Sequence, residues 1–161
     1  MTSAIQELKD SLHPKLRAVL EKRGFDEFSE IQMRAVPELI TGINAILIAP
    51  TGTGKTESAM LPVFHHMLTD PMPEGFSALY ITPLRSLNRD MMNRLEWWGA
   101  ELGLKISVRH GDTTQSDRRK HATHPPDLLI TTPESLQAMM MGKVLRKHLA
   151  AVRYEIGRAH V

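Results

Sequence analysis

The sequence predicts an α/β fold with a mainly parallel β-sheet and helices on both faces of the sheet. Short apolar runs alternate with amphipathic helical patterns, and right-handed crossovers between parallel strands produce that order. The 161 residues, 42% of them hydrophobic, suffice for one compact core but are few for two. Prolines and glycines in residues 71–75 and 125–126 mark surface loops. We therefore expect one domain.

The predicted elements begin with helices. Apolar residues recur at helical spacing over residues 5–20, interrupted by Pro14 and stopped by Gly24, so we expect one kinked helix or two short ones. A further helix is expected over residues 29–42, where Ser29 can act as its N-terminal cap. The apolar residues 45–49 are then predicted to form a strand.

The rest of the chain continues the alternation. We expect strands at residues 78–81, 106–108 and 128–130, and helices at residues 56–68, 84–102 and about 115–121. Because parallel strands end at one edge of their sheet, the loops that follow these strands are expected to form the ligand-binding edge.

The most specific motif is A-P-T-G-T-G-K-T in residues 49–56, directly after a predicted strand and directly before a predicted helix. A phosphate-binding loop requires that context. Gly52 and Gly54 can adopt positive φ, so successive backbone N–H groups can surround phosphates at a helix N-terminus. Lys55 supplies positive charge, and Thr56 offers a hydroxyl to a magnesium ion between the β- and γ-phosphates. The motif predicts binding of a nucleoside triphosphate.

Polar loops follow three of the other predicted strands. Residues 82–85 read T-P-L-R, residues 110–113 read H-G-D-T and residues 131–134 read T-T-P-E. Hydroxyl groups, helix N-termini and an arginine along one edge suit a line of sugar-phosphate groups. Each loop taken alone is more typical of helix capping, because Ser and Thr before a helix usually bond its free N–H groups. Their occurrence together after a phosphate-binding loop favours nucleic-acid binding.

Composition sets broad limits on function. Lys and Arg number 20 against 18 Asp and Glu, and the isoelectric point is near 9.0, so a negatively charged partner is permitted but not demanded. The absence of cysteine excludes disulfides, thiolate metal sites and cysteine nucleophiles, and it agrees with a cytoplasmic location. The sequence has no apolar stretch of membrane-spanning length and no secretory signal pattern. We expect no membrane partner.

The order of the motifs resembles the first RecA-like domain of a superfamily 2 helicase. The motifs are I-Q at residues 31–32, the phosphate-binding loop, T-P-L-R-S-L-N and T-T-P-E. Residues 109–136, which contain R-H-G-D-T-T-Q-S-D-R-R-K and P-P-D-L-L-I-T-T-P-E-S-L, are similar to the Lhr (large helicase-related) group in particular. The resemblance covers about residues 24–154. It implies a three-layer RecA-like P-loop domain that is incomplete at its C-terminal end.

The resemblance also implies ATP and Mg²⁺ as cofactors and assigns residues to them. Gln32 would read the adenine base, while Phe25 would pack either on that base or in the core. Lys55 and Thr56 would take part in catalysis, and Thr56 would bind the metal. The full set of implied nucleotide contacts is Phe25, Gln32, Thr51, Gly52, Thr53, Gly54, Lys55, Thr56 and Glu57.

A second implied partner is single-stranded or partly duplex nucleic acid, with DNA favoured over RNA. Contacts of this kind read phosphate and sugar and give little sequence preference. The basic run at residues 118–121 is more typical of a solvated helix face than of an extension of this surface. A second RecA-like domain of the same parent chain is a further implied partner. The implied nucleic-acid contacts are Pro83, Arg85, Asn88, Gly111, Asp112, Thr132, Pro133 and Glu134.

One motif of the family is missing. ATP hydrolysis needs an acidic pair after a later strand, and the family's D-E-x-H would follow a strand that begins near Val152. Residues 152–161 read V-R-Y-E-I-G-R-A-H-V instead, so Tyr154 precedes Glu155 where aspartate is expected. We therefore expect residues 1–154 to be the N-terminal part of a helicase ATP-binding domain and residues 155–161 to be a non-native or disordered tail.

The expected function is that of the ATP-binding half of an ATP-dependent helicase. The chain itself is expected to bind nucleotide weakly without turnover, because the acidic pair and the arginine fingers of a second domain are not present in it. The alternative is a stand-alone module in which bound nucleotide controls affinity for nucleic acid without hydrolysis.

Overall fold

The computed structural model describes residues 2–158. The chain divides into two compact units, Met1–Pro71 and Met72–Val161, whereas the sequence predicts a single domain over residues 1–154. Below, they are called the first and the second unit. In residues 2–71 the first unit contains only helices and loops, and all the strands of the described sheet belong to the second unit.

Two helices of the first unit, the second and the third along the chain, begin at residues whose side chains cap them. The N-terminal segment forms two short helices, because Pro14 begins the second one, where its missing N–H is not needed. Ser29 caps the third helix in a full capping box with Gln32, as the sequence predicts for its first turn. The helices are α1 (Thr2–Ser11), α2 (Pro14–Lys22), α3 (Glu30–Leu39) and α4 (Lys55–Thr69).

A histidine links two helices of this unit. Nδ1 of His65, on α4, accepts a hydrogen bond of 3.0 Å from the backbone N–H of His13, which caps α2. Burial, followed by the nearby His66 and His13, lowers the pKa of His65. The His65 ring is therefore neutral near pH 7 and serves as a structural acceptor. The buried side chains around these helices are Leu8, Leu12, Leu16, Val19, Leu20, Ala35, Val36, Met60, Leu61, Val63, Phe64 and Met67.

The strand predicted at residues 45–49 is absent. Residues 43–50 have no regular secondary structure, and Ile46 and Ile48 are 88% and 87% exposed. A strand is stabilised by hydrogen bonds to a neighbouring strand. In residues 2–158, every strand pair joins strands of the second unit, so this apolar segment has no ladder partner there.

The second unit is a four-stranded parallel sheet with helices between its strands. The strands are β1 (Ala78–Ile81), β2 (Ile106–Arg109), β3 (Leu128–Thr131) and β4 (Tyr154–Gly157), in the order β2-β3-β1-β4. The helices are a 3₁₀ turn (Leu84–Ser86), α5 (Arg89–Leu102), α6 (Gln115–Thr123), α7 (Pro133–Met141) and α8 (Lys143–Leu149).

Helices cover the two faces of this sheet. On one face, Leu79 and Leu129 of the central strands pack with Phe76 and with Met139 of α7. On the other face, α5 approaches β2 so closely at Gly99 that an added Cβ would lie 3.0 Å from the side chain of Ile106. The α/β fold class predicted from the sequence is confirmed. None of the helices in the described part of the chain is long and apolar enough to cross a membrane.

The non-native or disordered tail predicted from Glu155 onward begins inside a strand, and its non-native origin stays a prediction. Residues 154–157 form β4, whose residues Tyr154 to Gly157 pair with Ala78 to Ile81 of β1 in a parallel ladder. Backbone hydrogen bonds alone form such a ladder, so the unfamiliar side-chain sequence did not prevent it. The prediction for residues 159–161 lies outside the described residues.

Candidate functional site

The phosphate-binding motif forms a turn that leads into α4. Gly52 and Gly54 have φ of +79° and +84°, the left-handed conformation that glycine adopts without strain. Gly54 is the N-terminal cap of α4, so the free N–H groups of the first helical turn follow it directly. A Cβ at Gly54 would also lie 2.4 Å from Nε2 of Gln32, whereas a Cβ at Gly52 would meet nothing within 4 Å.

Gln32 contacts this loop directly. Its Nε2 donates to the carbonyl of Gly54 at 3.3 Å, and its Oε1 accepts from the N–H of Ser29 at 2.9 Å. The side chain is buried. Because a primary amide has two N–H groups and two lone pairs, one donor and one acceptor of Gln32 remain for another partner. The structure thus brings together two parts of the predicted nucleotide site that lie 22 residues apart in the sequence.

The charged and hydroxyl groups of the loop point to its own backbone. Nζ of Lys55 donates to the carbonyls of Ala49 and of Pro50, the latter at 2.8 Å. The hydroxyl of Thr53 donates to the same Pro50 carbonyl at 2.7 Å. The third donor of the ammonium group remains for another acceptor. Thr56, in the first turn of α4, is half-buried.

The remaining residues predicted for nucleotide contact differ in exposure. Thr51 is exposed at the tip of the loop, and Glu57 is buried in the first turn of α4. Phe25 is half-buried, and its ring lies 5.2 Å from that of Phe28 at an interplanar angle of 60°. Sequence reasoning missed Ser58, whose hydroxyl donates to the Gly54 carbonyl at 2.9 Å. A serine four residues after the last loop glycine was the available signal.

No protein metal site accompanies the loop. In residues 2–158, no group of three or more His, Asp or Glu side chains could hold a metal ion. Magnesium, however, is usually bound through one or two protein oxygens together with substrate phosphates. The Thr56 hydroxyl, which makes no hydrogen bond within the described residues, fits that arrangement.

The sheet brings three of the predicted loops to one edge. Ile81, Thr131 and Arg109, the last residues of β1, β3 and β2, lie side by side in the ladders. The loops that follow these residues therefore leave the sheet next to each other, at spacings of about 4.8 Å per strand. The hydroxyl of Thr131 strengthens this edge by donating to the Arg109 carbonyl at 2.8 Å.

The loop after β1 carries three of the predicted nucleic-acid contacts. Pro83 precedes the 3₁₀ turn that contains Arg85, and the side chain of Arg85 is exposed. Asn88 caps α5, since its Oδ1 accepts from the N–H of Met91 at 2.8 Å. Its capping bond uses only one acceptor position, so its amide N–H₂ group is available to a ligand.

The loop after β3 likewise contains one residue that caps a helix and others that are exposed. Thr132 is buried, and its hydroxyl accepts from the N–H of Ser135 at 3.2 Å, which caps α7. Pro133 and Glu134 occupy the first turn of α7 and are exposed. A carboxylate in this position stabilises the helix N-terminus, so Glu134 has a structural explanation in addition to the predicted one.

The loop after β2 contains Gly111 and Asp112, which are both exposed. The sequence predicts a solvated helix face for the basic run at residues 118–121, on α6. In the structure, only part of this run is exposed. Arg118 folds back onto this loop, His121 is buried, and only Arg119 and Lys120 are exposed. Sequence reasoning left Arg118 out of the site, because a charge run alone does not show which member faces inward.

Several ionisable side chains of β2 and α6 lie close to one another next to this loop. Burial and the neighbouring Arg118 lower the pKa of Arg109. Burial, followed by Arg109, lowers the pKa of His121, so this ring is neutral near pH 7. A hydrogen bond with Thr114 is the main cause of a lowered pKa at Asp117, which is half-buried. Positive charge therefore lies under the loop, with the arginines as its source.

Comparison with known proteins agrees with the fold and the motifs. The sequence profile of the DEAD/DEAH box helicase family matches residues 29–156. The ATP-dependent helicase Lhr-Core of Methanothermobacter thermautotrophicus is 33% identical, over 93% of this chain and 19% of that relative. This chain therefore spans about a fifth of the length of that relative.

Two solved structures have the same fold over most of this chain. The Mycobacterium smegmatis helicase Lhr, bound to ssDNA and AMP-PNP, is 31% identical with a TM-score of 0.77, over 91% of this chain and 20% of that protein. The helicase MrfA, bound to DNA and AMPPNP, is 27% identical with a TM-score of 0.77, over 91% of this chain and 21% of that protein. Profile, relatives and fold agree that this chain belongs to the DEAD/DEAH box helicase family.

Proposed function

We propose that this chain binds ATP together with Mg²⁺ and forms part of an Lhr-type helicase that moves along nucleic acid. The observation that carries the proposal is the contact between Gln32 and Gly54. It joins the amide proposed to read adenine to the loop proposed to hold phosphates. Family membership and the ATP-dependent helicases among the relatives support the same function.

The loop would bind phosphates mainly through its backbone. The free N–H groups at the start of α4 and the positive end of the helix dipole favour an anion there. Lys55 would exchange its bonds to the Ala49 and Pro50 carbonyls for bonds to phosphate oxygens. Thr56 would give its hydroxyl to Mg²⁺, and the ion would neutralise charge on the β- and γ-phosphates. The proposal includes Thr51, Thr53 and Glu57 as loop contacts, with Phe25 beside the base.

Nucleic acid would bind along the loops at the edge of the sheet in the second unit. Arg85 and the amide of Asn88 would contact phosphate and sugar, as would the backbone of Gly111 and the N-terminus of α7. The remaining proposed contacts are Pro83, Asp112, Thr132, Pro133 and Glu134. The two solved relatives are bound to DNA, which supports DNA as the first substrate to test.

ATP turnover by this chain alone is not expected. Gly157 and Arg158 stand at the carboxyl end of β4, so in the described residues no acidic pair follows this strand to hold Mg²⁺ and orient water. In the whole parent, a second RecA-like domain would close over the nucleotide and move its own strand contacts relative to these. The same observation at β4 favours the second candidate, a module in which nucleotide controls nucleic-acid affinity without hydrolysis.

Titration with a fluorescent ATP analogue and Mg²⁺ tests nucleotide binding. We expect saturable binding by the chain, loss of binding in Lys55→Ala and weaker binding in Gln32→Ala, with ADP competing better than GTP. Lys143→Ala, which removes an exposed lysine of α8, is the matched control and should bind normally. Binding that survives Lys55→Ala would contradict the proposed site.

Phosphate release with and without single-stranded DNA separates the two candidate functions. Nucleotide binding that changes DNA affinity without any phosphate release would support the binding module for this chain. Phosphate release that disappears in Lys55→Ala would show turnover and would contradict the expectation drawn from the end of β4.

A further inference from the structure

The side chain of Arg118 binds the backbone of the loop after β2. Its Nε donates to the carbonyl of Thr113 at 2.9 Å, and its Nη2 donates to the carbonyls of Gly111 at 2.8 Å and of His110 at 3.5 Å. The guanidinium group is planar and carries its donors in a fixed fork, which suits several carbonyls of one turn. Arg118 thus holds the loop from one side.

The loop also closes on itself. The N–H of Thr113 donates to the carbonyl of His110 at 3.1 Å, and the N–H of His110 donates to the hydroxyl of Thr113 at 2.9 Å. These bonds form a turn whose carbonyls at residues 110, 111 and 113 all face Arg118. The turn is therefore fixed by its own bonds and by one side chain from α6.

The orientation of these carbonyls determines where the N–H groups point. In a trans peptide, the N–H lies opposite to the carbonyl of the same peptide unit, and the structure contains no cis peptide in its described residues. The N–H groups of Gly111, Asp112 and Thr114 therefore point away from Arg118. The N–H of Asp112 donates to Nδ1 of His110 at 3.2 Å, so the N–H groups of Gly111 and Thr114 are the ones left for another acceptor. Backbone N–H groups that point to one side of a turn can bind an anion.

We propose that Arg118 is a positioning residue that holds residues 110–113 so that the N–H groups of Gly111 and Thr114 face a phosphate of the bound nucleic acid. This inference rests on the proposed function, because it names what orients one of the proposed nucleic-acid loops. Nε and Nη2 of Arg118 donate to the protein backbone, and in this role the side chain acts on the phosphate only through the loop.

The alternative role for Arg118 is a direct salt bridge to phosphate. Two substitutions distinguish this role from the positioning role. Arg118→Lys keeps the charge but loses the fork, so a lysine would preserve a phosphate contact but not the hold on three carbonyls. Arg119 lies next to it on α6 with an exposed side chain, and Arg119→Ala is the matched control.

Hydrogen exchange without nucleic acid tests the hold on the loop. We expect the amide of Thr113 to exchange about tenfold faster in both Arg118→Ala and Arg118→Lys. Without the guanidinium group, the free energy of opening the turn falls by the value of about one hydrogen bond. Exchange in Arg119→Ala should match the unsubstituted chain. Unchanged circular dichroism and tryptophan fluorescence will show that the variants are folded. Unchanged exchange at Thr113 in folded Arg118 variants would overturn the inference.

Binding of single-stranded DNA at several salt concentrations tests the consequence for the ligand. We expect both Arg118 variants to lose about three- to tenfold in affinity, the value of about one hydrogen bond, with an unchanged salt slope. A direct phosphate contact would instead lower the slope by about 0.7 in Arg118→Ala, and Arg118→Lys would restore it. That result would overturn the positioning role.

The two measurements also separate this inference from the proposed function. If the unsubstituted chain fails to bind DNA, the proposed nucleic-acid function is overturned, and the phosphate part of this inference is overturned with it. The exchange result then shows independently whether Arg118 holds the loop. If DNA binds and exchange at Thr113 is unaffected by Arg118, only the positioning role is overturned.

Discussion

Two apolar segments that look alike in the sequence have different structures. Residues 128–131 read L-L-I-T and form the buried strand β3, paired on one side with β1 and on the other with β2. Residues 45–49 read A-I-L-I-A, and yet they form no strand and expose Ile46 and Ile48. The comparison shows that an apolar run indicates only a tendency to form a strand. Available ladder partners decide whether the strand forms.

The two candidate sites differ in the same way, because one follows paired strands and the other follows an unpaired segment. The nucleic-acid loops follow strands whose ladders align Ile81, Thr131 and Arg109, so pairing sets where each loop begins. The phosphate-binding loop follows the unpaired segment and is held from its other end, by α4 and by the bond from Gln32 to Gly54. We therefore expect the sheet-edge loops to depend on core packing and the phosphate-binding loop to depend on a few local contacts.

The largest effect should come from the core of the paired strands. Leu129→Ala removes a side chain that is 0% exposed between β1 and α7, and we expect it to cost about 2–5 kcal/mol. Ile46→Ala is the matched comparison and should change stability by less than about 0.5 kcal/mol. Urea unfolding, followed by circular dichroism and by tryptophan fluorescence, measures both. A loss above about 1.5 kcal/mol in Ile46→Ala would show that the segment is packed in solution.

A smaller effect should come from the phosphate-binding loop. Alanine at Gly54 must adopt positive φ and must displace Gln32, so we expect Gly54→Ala to cost about 2–3 kcal/mol and to abolish nucleotide binding. Alanine at Gly52 must also adopt positive φ, but its Cβ would meet no neighbouring atom. Gly52→Ala should therefore lower the free energy of unfolding by about 1 kcal/mol less than Gly54→Ala. Circular dichroism during urea unfolding reports the helices, and fluorescent ATP titration reports the site. Equal costs for the two variants would contradict a role of Gln32 in holding Gly54.

The smallest effect concerns pH and the helices of the first unit. The folded pKa of His65 lies below its ordinary value of 6.5, so below pH 6.5 the unfolded chain binds more protons than the folded one. The stabilising bond from His13 to His65 is therefore fully present above pH 6.5 and is lost as pH falls through the folded pKa. We expect a loss of about 1 kcal/mol or less, given solvent screening.

Hydrogen exchange of α2 and α4 amides between pH 7 and pH 5, corrected for intrinsic rates, measures this loss. His65→Asn keeps an acceptor in a similar place but does not titrate, so it should remove most of the pH dependence. A pH dependence unchanged by His65→Asn would show that His65 is not its source.

Much of the candidate site follows from sequence, because its motifs encode local structure. Positive φ at Gly52 and Gly54 and the capping box of Ser29 depend on neighbouring residues only, and the structure contains both. The inward position of Arg118 was not predictable, since it depends on how α6 folds back on the loop before it. The family pattern places a strand near Val152, but its pairing with β1, which is far away in the sequence, could not be predicted.

By itself, the sequence determined the α/β class, the order of most helices and strands, and the motifs that mark the helicase family. These properties depend on periodicity, capping and glycine positions, which act over a few residues. Only the tertiary structure decided which apolar runs pair, which loops share an edge and which arginine of a basic run faces the protein. Those outcomes depend on contacts between distant segments, and hydrogen-bonded ladders and buried side chains form only where both partners are brought together.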